Sequence, residues 1–501
     1  MPRAAARPLL DGLIRPQGVV GYGTGQMALH LLAGRRAAGL LLGLGLALAA
    51  IAPGARAGNW RMFGGDVQST SANPQATGIT AATVGRLRRR RVALDGVVDA
   101  SAIYLRGVTI RGARHDAIFL TTSYGRTLAL DAGSGEVLWQ YTPPGYESLA
   151  GTRQFTNSTP VAAADGRSVY AASPDGDVEK LAVSDGHLLW RTAITELPRR
   201  EKMDSPLKLF RGHVIAVTAG YIGDRPPYQG HVAVLDGASG RLLHVWNALC
   251  SDRAGLLRPG RCPQSRAAIW GRAGAVIDPA SGHLFVATGN GAWNGRTAWG
   301  DAVIELDAEA TRVLGNYTPD NTAELNDSDL DLGSTSPVLL GGDLLAQGGK
   351  DGRIRLLSRR AIAGATPHRG GELQVLSTPS GTDLFTQPAV WRHDGATWMF
   401  AADDGGTAAW RVTGGRLHEA WHNDSGGTSP FEAGGLLFVY SPAGGLRVYE
   451  ASSGKRLATL ACGRGHWNSP IVVDGRIILP EGNANSRATR GVLDIWSLPG
   501  R

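Results

Sequence analysis

Short runs in which apolar and polar positions alternate recur along most of the chain, each closed by a turn rich in glycine. Leu128-Ala129-Leu130-Asp131-Ala132-Gly133-Ser134-Gly135-Glu136-Val137-Leu138-Trp139 reads as a strand, a turn and a second strand. The pattern returns from Lys180 to Trp190, from Val234 to Leu243, from Ile304 to Tyr317, from Ala409 to Trp421 and from Val448 to Lys455. Degenerate copies sit at Ile354 to Arg359 and at Leu493 to Leu498. A period of two fits half-buried strands, and glycine supplies the positive φ that a tight hairpin turn requires. Repetition at this spacing predicts four-stranded blades set radially, each burying its open face on the next. The predicted fold is therefore all-β: an eight-bladed propeller, with seven blades as the alternative. A tandem array of β-sandwiches is the poorer account, because its strands would not all carry one Asp-x-x-x-Gly-x-x-x-Trp signature. The opening segment around Trp60 is expected to pair with the last strands and close the ring.

Composition narrows this picture. The chain has 501 residues and 70 glycines, roughly twice the ordinary glycine usage of about 7%. No Gly-X-Y period accompanies them, which excludes collagen. Lys and Arg number 51 against 43 Asp and Glu, a net charge of +8. Apart from Arg86 and Arg88 to Arg91 the basic residues are scattered. That run lacks the interleaved aromatics of a single-strand-binding groove, so it is read as a solvated face and no nucleic acid is expected as a partner.

Near the start, Arg35 and Arg36 precede an uncharged stretch from Ala37 to Pro53, followed by Ala55-Arg56-Ala57. Charged, apolar and small residues in that order mark a secretory signal. Residues 1–57 are thus assigned to an N-terminal extension and signal, with Met27 as an alternative start, and residues 58–501 to a single propeller domain. The apolar stretch falls short of the ~20 residues that span a bilayer comfortably. A retained N-terminal anchor is the alternative; otherwise the mature chain has no membrane span and is periplasmic or secreted. In an oxidising compartment Cys250 and Cys262, twelve apart in a loop-like stretch, suit a local disulfide, with two free thiols as the alternative. Four close Cys or His ligands, as zinc requires, do not gather around them.

The repeat resembles the tryptophan-docking repeat of pyrroloquinoline quinone (PQQ) propellers, over nearly all of Trp60 to Leu498. The opening Asn59-Trp60-Arg61-Met62-Phe63-Gly64-Gly65-Asp66 resembles the first segment of quinoprotein alcohol dehydrogenases. That family includes PQQ enzymes and cofactor-free relatives such as the outer-membrane assembly scaffold. In its enzymes a bound calcium ion polarises a quinone carbonyl, a carboxylate takes the alcohol proton, and an aromatic floor carries the flat cofactor. Ile269-Trp270-Gly271-Arg272 and Thr288-Gly289-Asn290-Gly291 are similar to the stretch that supplies floor and cation ligand. The resemblance implies that Trp270 stacks on PQQ and that Asn290 binds calcium. Asp327-Ser328-Asp329-Leu330-Asp331 stands for the loop of the catalytic base, with Asp331 the first choice and Asp329 the second. Lys350 resembles the basic residue at the quinone oxygens, and Asp99 stands where a Glu usually meets the cofactor. Tyr221 stands where the family has a calcium-binding Glu, with Asp224 as a substitute at a different offset, and the vicinal disulfide of many dehydrogenases is absent.

Two functions follow from this reading. One is an exported dehydrogenase that uses PQQ and calcium to oxidise a small alcohol or polyol. It passes electrons to a separate acceptor, since no Cys-x-x-Cys-His haem motif is present. The other is a cofactor-free envelope scaffold whose rim binds a protein or a glycan. A carbohydrate-active propeller is a third and weaker reading, because the carboxylate separation it needs is not visible in a sequence. His466-Trp467-Asn468-Ser469-Pro470 is read as the start of a final blade strand.

Overall fold

The structure, a computed structural model, describes residues 58–499; the extension and export signal read over residues 1–57 lie outside them. Eight four-stranded antiparallel blades follow one another around a ring, blade 7 taking Ala72–Asn73 as an additional parallel strand beside Phe431–Ala433. Blade 1 comprises Ile103–Ile110, Ala113–Thr121, Thr127–Asp131 and Val137–Tyr141. Blade 2 runs from Val161–Ala162 to Leu188–Ala193, and blade 3 from Lys208–Phe210 to Leu242–Asn247. Blade 4 runs from Val276–Ile277 to Val313–Tyr317, blade 5 from Val338–Gly341 to Gln374–Ser377, and blade 6 from Ala389–His393 to Arg416–Asn423. Blade 7 runs from Phe431–Ala433 to Arg456–Leu460. Blade 8 contains Ile471–Val473, Arg476–Glu481 and Gly491–Ser497. Each repeat copy read from the sequence falls on the third strand of one blade, and those of blades 1 to 4 and 6 run on into the fourth, so eight copies gave the right blade count.

The ring closes through a different segment from the one expected. Arg88–Leu94 is the outermost strand of blade 8, paired antiparallel with Gly491–Ser497 from Arg88 opposite Ser497 to Leu94 opposite Gly491. Trp60 instead bridges Tyr104 of blade 1, and its ring packs 4.8 Å from that of Phe431 in blade 7. Gly64 and Gly65, at φ of 71° and 81°, turn the chain back at once and leave no strand there to pair. The arginine run is consequently more than a solvated face. Arg91 pairs with Glu481 and with Asp494 at 3.2 Å, and Arg89 reaches Asp494 at 3.5 Å.

The tryptophan of each well-formed repeat ties neighbouring blades together. Trp139 donates its indole N–H to Val183 O at 2.8 Å, Trp190 to Gly237 O at 3.4 Å, and Trp421 to Ala451 O at 2.9 Å. Each ring lies over the glycine of the next blade's turn. A methyl group on Gly186, Gly240 or Gly454 would meet Trp139, Trp190 or Trp421 within 2.6 Å. Those glycines serve two demands at once, a φ near +75° and contact with a flat ring. The apolar core is shared out in the same way: Phe285, Val303 and Tyr317 of blade 4 pack with Leu339, Leu345 and Leu357 of blade 5.

Glu432, on the innermost strand of blade 7, is 1% exposed. One carboxylate oxygen accepts Gly435 N–H at 2.8 Å, while the other has no partner. Burial pushes its carboxyl up to about 7. A group raised in the folded state contributes stability that is full below its unfolded value and is lost as pH rises through the folded one, a change of about 3 kcal/mol here. Glu432→Gln should therefore gain stability relative to the parent as pH rises from 5 to about 8. Thermal melts of both proteins across that interval check this; a constant difference in Tm would refute it.

Cys250 and Cys262 form the disulfide that their spacing suggested, with Cα atoms 6.0 Å apart, and Cys462 is free. Among the described residues no helix is long and apolar enough to cross a membrane.

Candidate functional site

The lead-in loops of the blades converge on the ring axis, where they enclose a cavity of about 470 Å³. Its wall draws on residues before blades 2 to 6 and before blade 8, a spread that only a central position allows. Trp270 precedes blade 4, Asp329 and Asp331 precede blade 5, Phe385 precedes blade 6 and Trp467 precedes blade 8. The lead-ins stay extended because most end in a Ser-, Thr- or Gln-Pro pair, and proline restricts the residue before it to extended backbone.

Trp270 lies against this cavity with its indole stacked on Trp467, centroids 5.8 Å apart and planes 22° from parallel. Phe385 adds a third ring at 6.0 Å, and the Lys350 ammonium sits 5.4 Å above Trp270. Gly271 lets the chain through beside Trp270, since a methyl group there would come within 2.4 Å of the Thr335 backbone. Arg272, fully buried, braces the far side. It donates to Trp467 O at 3.2 Å and Asp204 O at 3.3 Å, and its guanidinium lies 5.0 Å from the Trp467 ring.

Asp331 accepts Asn290 N–H at 2.7 Å on one oxygen and meets Lys350 Nζ at 2.5 Å on the other. Burial raises the proton affinity of its carboxyl above the ordinary range, and Lys350 and Asn290 offset part of that rise. Lys350, where burial works against the charge, is nevertheless held above its usual range by Asp331 and Asp329. Asp329 accepts the Asn290 side-chain amide at 2.8 Å and lies 3.5 Å from Lys350. Its side chain is 67% exposed where that of Asp331 is 11%, so the two aspartates of the loop stand in unlike surroundings. Four residues singled out in the sequence, Asn290, Asp329, Asp331 and Lys350, thus form one bonded group beside Trp270.

The remaining two stand apart from it. Asp224 lines the cavity on the blade 3 side and accepts the Tyr228 hydroxyl at 2.7 Å; among the described residues it makes no hydrogen bond to the Asn290 group. Asp99 does not line the cavity. Fully buried, it accepts Trp467 N–H at 2.9 Å, Ala484 N–H at 2.9 Å and His466 Nδ1 at 2.8 Å. Although burial opposes it, these bonds hold its carboxyl below the ordinary range. Asp99 therefore acts on the site through His466 and Trp467, which it positions.

Sequence reasoning missed Trp467, His466, Phe385, Asn157, Lys202 and Asp204, all of which line the cavity. Lys202 is buried beside Asp204 at 2.9 Å, in a short strand Glu201–Lys202 that pairs with Ala219–Gly220. A signal for three of them was present: Asn157, Phe385 and Trp467 each stand three residues before the lead-in proline of a blade, Pro160, Pro388 and Pro470.

The group can be tested for what it would hold. A flat polyanionic quinone suits a stacked indole floor with two ammonium groups, Lys350 and Lys202, in one cavity. For a cation, Asn290 Oδ1 is buried and has no hydrogen-bond partner, an unmet acceptor of the hard kind that calcium takes. Asp329 and Asp331 bond to the same residue, and among the described residues no three acid, His or Cys side chains gather around one metal position. The indole floor and the two ammonium groups suit a planar anion, and the cation seat is lean.

A family model described as outer membrane protein assembly factor BamB (PQQ_2) matches residues 57–261, 125–374 and 396–491. The chain belongs to this PQQ-type propeller family. Among its relatives, a polyvinylalcohol dehydrogenase of Pseudomonas sp is 24% identical over 445 residues, 79% of this chain and 66% of that protein. A quinohemoprotein alcohol dehydrogenase, ADH IIB of Pseudomonas putida, is 28% identical over 206 residues, 38% of this chain and 29% of that protein. The chain thus spans less than two thirds of the length of either relative. Among solved structures, quinohemoprotein alcohol dehydrogenase ADHIIG of Pseudomonas putida HK5 superposes with a TM-score of 0.67 at 15% identity, covering 89% of this chain and 81% of that one. BamB of Moraxella catarrhalis gives 0.51 at 14% identity, covering 82% and 99%. At such identities these structures speak for the propeller fold alone.

Gly289 gives the family member a sharp test of its site. A methyl group there would lie 2.1 Å from Asp331 Oδ1 and 3.2 Å from Trp270 Nε1. Gly289→Ala should displace the Asp331 carboxylate and abolish quinone binding while far-UV circular dichroism stays that of the parent. Unchanged binding would show that Asp331 and Trp270 do not share one ligand.

Proposed function

We propose that the chain is a quinoprotein-type dehydrogenase that oxidises an alcohol or polyol in its central cavity, with PQQ on the Trp270–Trp467 floor. The observation that carries this reading is the bonded group of Asn290, Asp329, Asp331 and Lys350 set against a stacked indole pair inside a ligand-sized cavity. When bound, PQQ supplies the two-electron acceptor. Trp270 and Trp467 present an apolar face, and Lys350 and Lys202 offer positive charge to the quinone oxygens and carboxylates. Asn290 Oδ1, with Asp329, would hold the calcium ion; Asp224, bonded to Tyr228 through one oxygen, faces the same cavity.

Asp331 is the proton acceptor. Its oxygens are fixed by Asn290 N–H and Lys350, so the carboxylate is oriented before substrate arrives, and burial makes it a stronger base than an exposed aspartate. Asp329, exposed at the mouth, is the second choice. Electrons leave to a separate acceptor.

The match to the BamB model and the lean cation seat favour a second reading, a cofactor-free scaffold in the cell envelope that binds a protein or a glycan. Titrating the protein with PQQ and calcium separates the two. Quenching of tryptophan fluorescence, dependent on calcium and lost in Trp270→Ala, is expected of the dehydrogenase. Absence of quenching at high cofactor concentration would leave the scaffold.

A further inference from the structure

Beside the central cavity lies a second one of about 740 Å³, and Phe155, Tyr221, Ile222 and Asn485 line both. Five arginines face it: Arg153, Arg199, Arg200, Arg225 and Arg487. They arrive from separate loops, before blade 2, before blade 3, within blade 3 and within blade 8. No Asp or Glu lines this cavity, and among the described residues none of the five arginines makes an ion pair. Arg191, by contrast, lies among Asp175, Asp177 and Glu179; what sets the vestibule apart is that five such arginines line one cavity.

We infer that this vestibule binds the carboxylates of a polyhydroxylated anion, so that the substrate class is an acidic sugar oligomer and not a neutral alcohol. Five guanidinium groups without counter-charges in a concave wall raise the local concentration of anions, and each presents a planar fork that matches a carboxylate. The vestibule is concave and of ligand size, where an acidic protein surface would need a broad flat face. Ile222, 74% exposed, stands on the wall common to both cavities and offers an apolar surface to a sugar ring. A chain laid across that wall places carboxylates among the arginines and a hydroxyl beside Asp331. That the ligand carries hydroxyls rests on the dehydrogenase reading; that it is anionic does not.

Calorimetric titration of the full protein with trigalacturonate and with neutral maltotriose tests this without any cofactor. The acidic trimer should bind the more tightly, and its affinity should fall about tenfold on raising the salt concentration. Arg199→Glu with Arg225→Glu should weaken the acidic trimer by about tenfold or more and leave maltotriose unchanged. Arg416→Glu, an exposed charge reversal on blade 6, controls for net charge and should leave both unchanged. Equal affinity for the two trimers, absence of binding, or an acidic trimer indifferent to the double reversal would overturn the inference. Binding of the acidic trimer by a protein that PQQ does not quench would retain the vestibule and remove the dehydrogenase; the reverse result would remove the vestibule alone.

Discussion

Replacing Asp331 with asparagine is expected to lower PQQ-dependent dye reduction with an alcohol by about 10³-fold, the range for losing a positioned general base. Asparagine is nearly isosteric and its side-chain oxygen still accepts Asn290 N–H, so the loop stays in place. What changes is proton affinity and the pairing with Lys350. Quinone binding, read by tryptophan quenching, should survive within a few-fold. Asp329→Asn, at an exposed position, should cost far less. Activity retained in Asp331→Asn but lost in Asp329→Asn would exchange the two roles, and activity retained in both would remove the loop from the chemistry.

The second large effect concerns stability. Trp139→Ala deletes an indole that is 2% exposed, packs 5.8 Å from Phe119 and donates to the next blade. A loss of about 3–5 kcal/mol is expected from the cavity and the missing ring. It would be read as a lowered midpoint in urea. Trp139→Phe keeps much of the packing and forfeits the hydrogen bond to Val183 O, so about 1–2 kcal/mol is expected from that change. Equal midpoints for the two variants would mean that the hydrogen bond, and not the ring, joins blades 1 and 2.

These two residues show which parts of the molecule were legible. The blade count could be read because the signature through Asp131, Gly135 and Trp139 recurs, whole or degenerate, once per blade, and at the contacts after blades 1, 2 and 6 its tryptophan docks on the next blade. Closure was not legible. Arg88–Leu94 and Gly491–Ser497 carry no mark of each other, and a run of arginines reads as solvent-facing until Asp494 and Glu481 are placed beneath it. Within the site, the Asn290 segment and the Asp-rich loop were legible as motifs. The unlike burial of Asp329 and Asp331 was not legible, since local order does not encode it. Asp99 was found but its direction was not, since its partners His466 and Trp467 lie 367 and 368 positions away. Those two and Phe385 sit in lead-ins whose proline was visible and whose common destination was not.

The latch between the two ends of the ring also sets an order of events. Its outer strand precedes blade 1 and its partner follows the other seven blades, so a nascent propeller carries an unpaired Arg88–Leu94 edge until Gly491–Ser497 has been made. Such edges invite pairing between molecules. A chain cut short before Gly491 would keep seven finished blades and one with the inner two strands only, leaving Arg88–Leu94 to seek a partner on another copy.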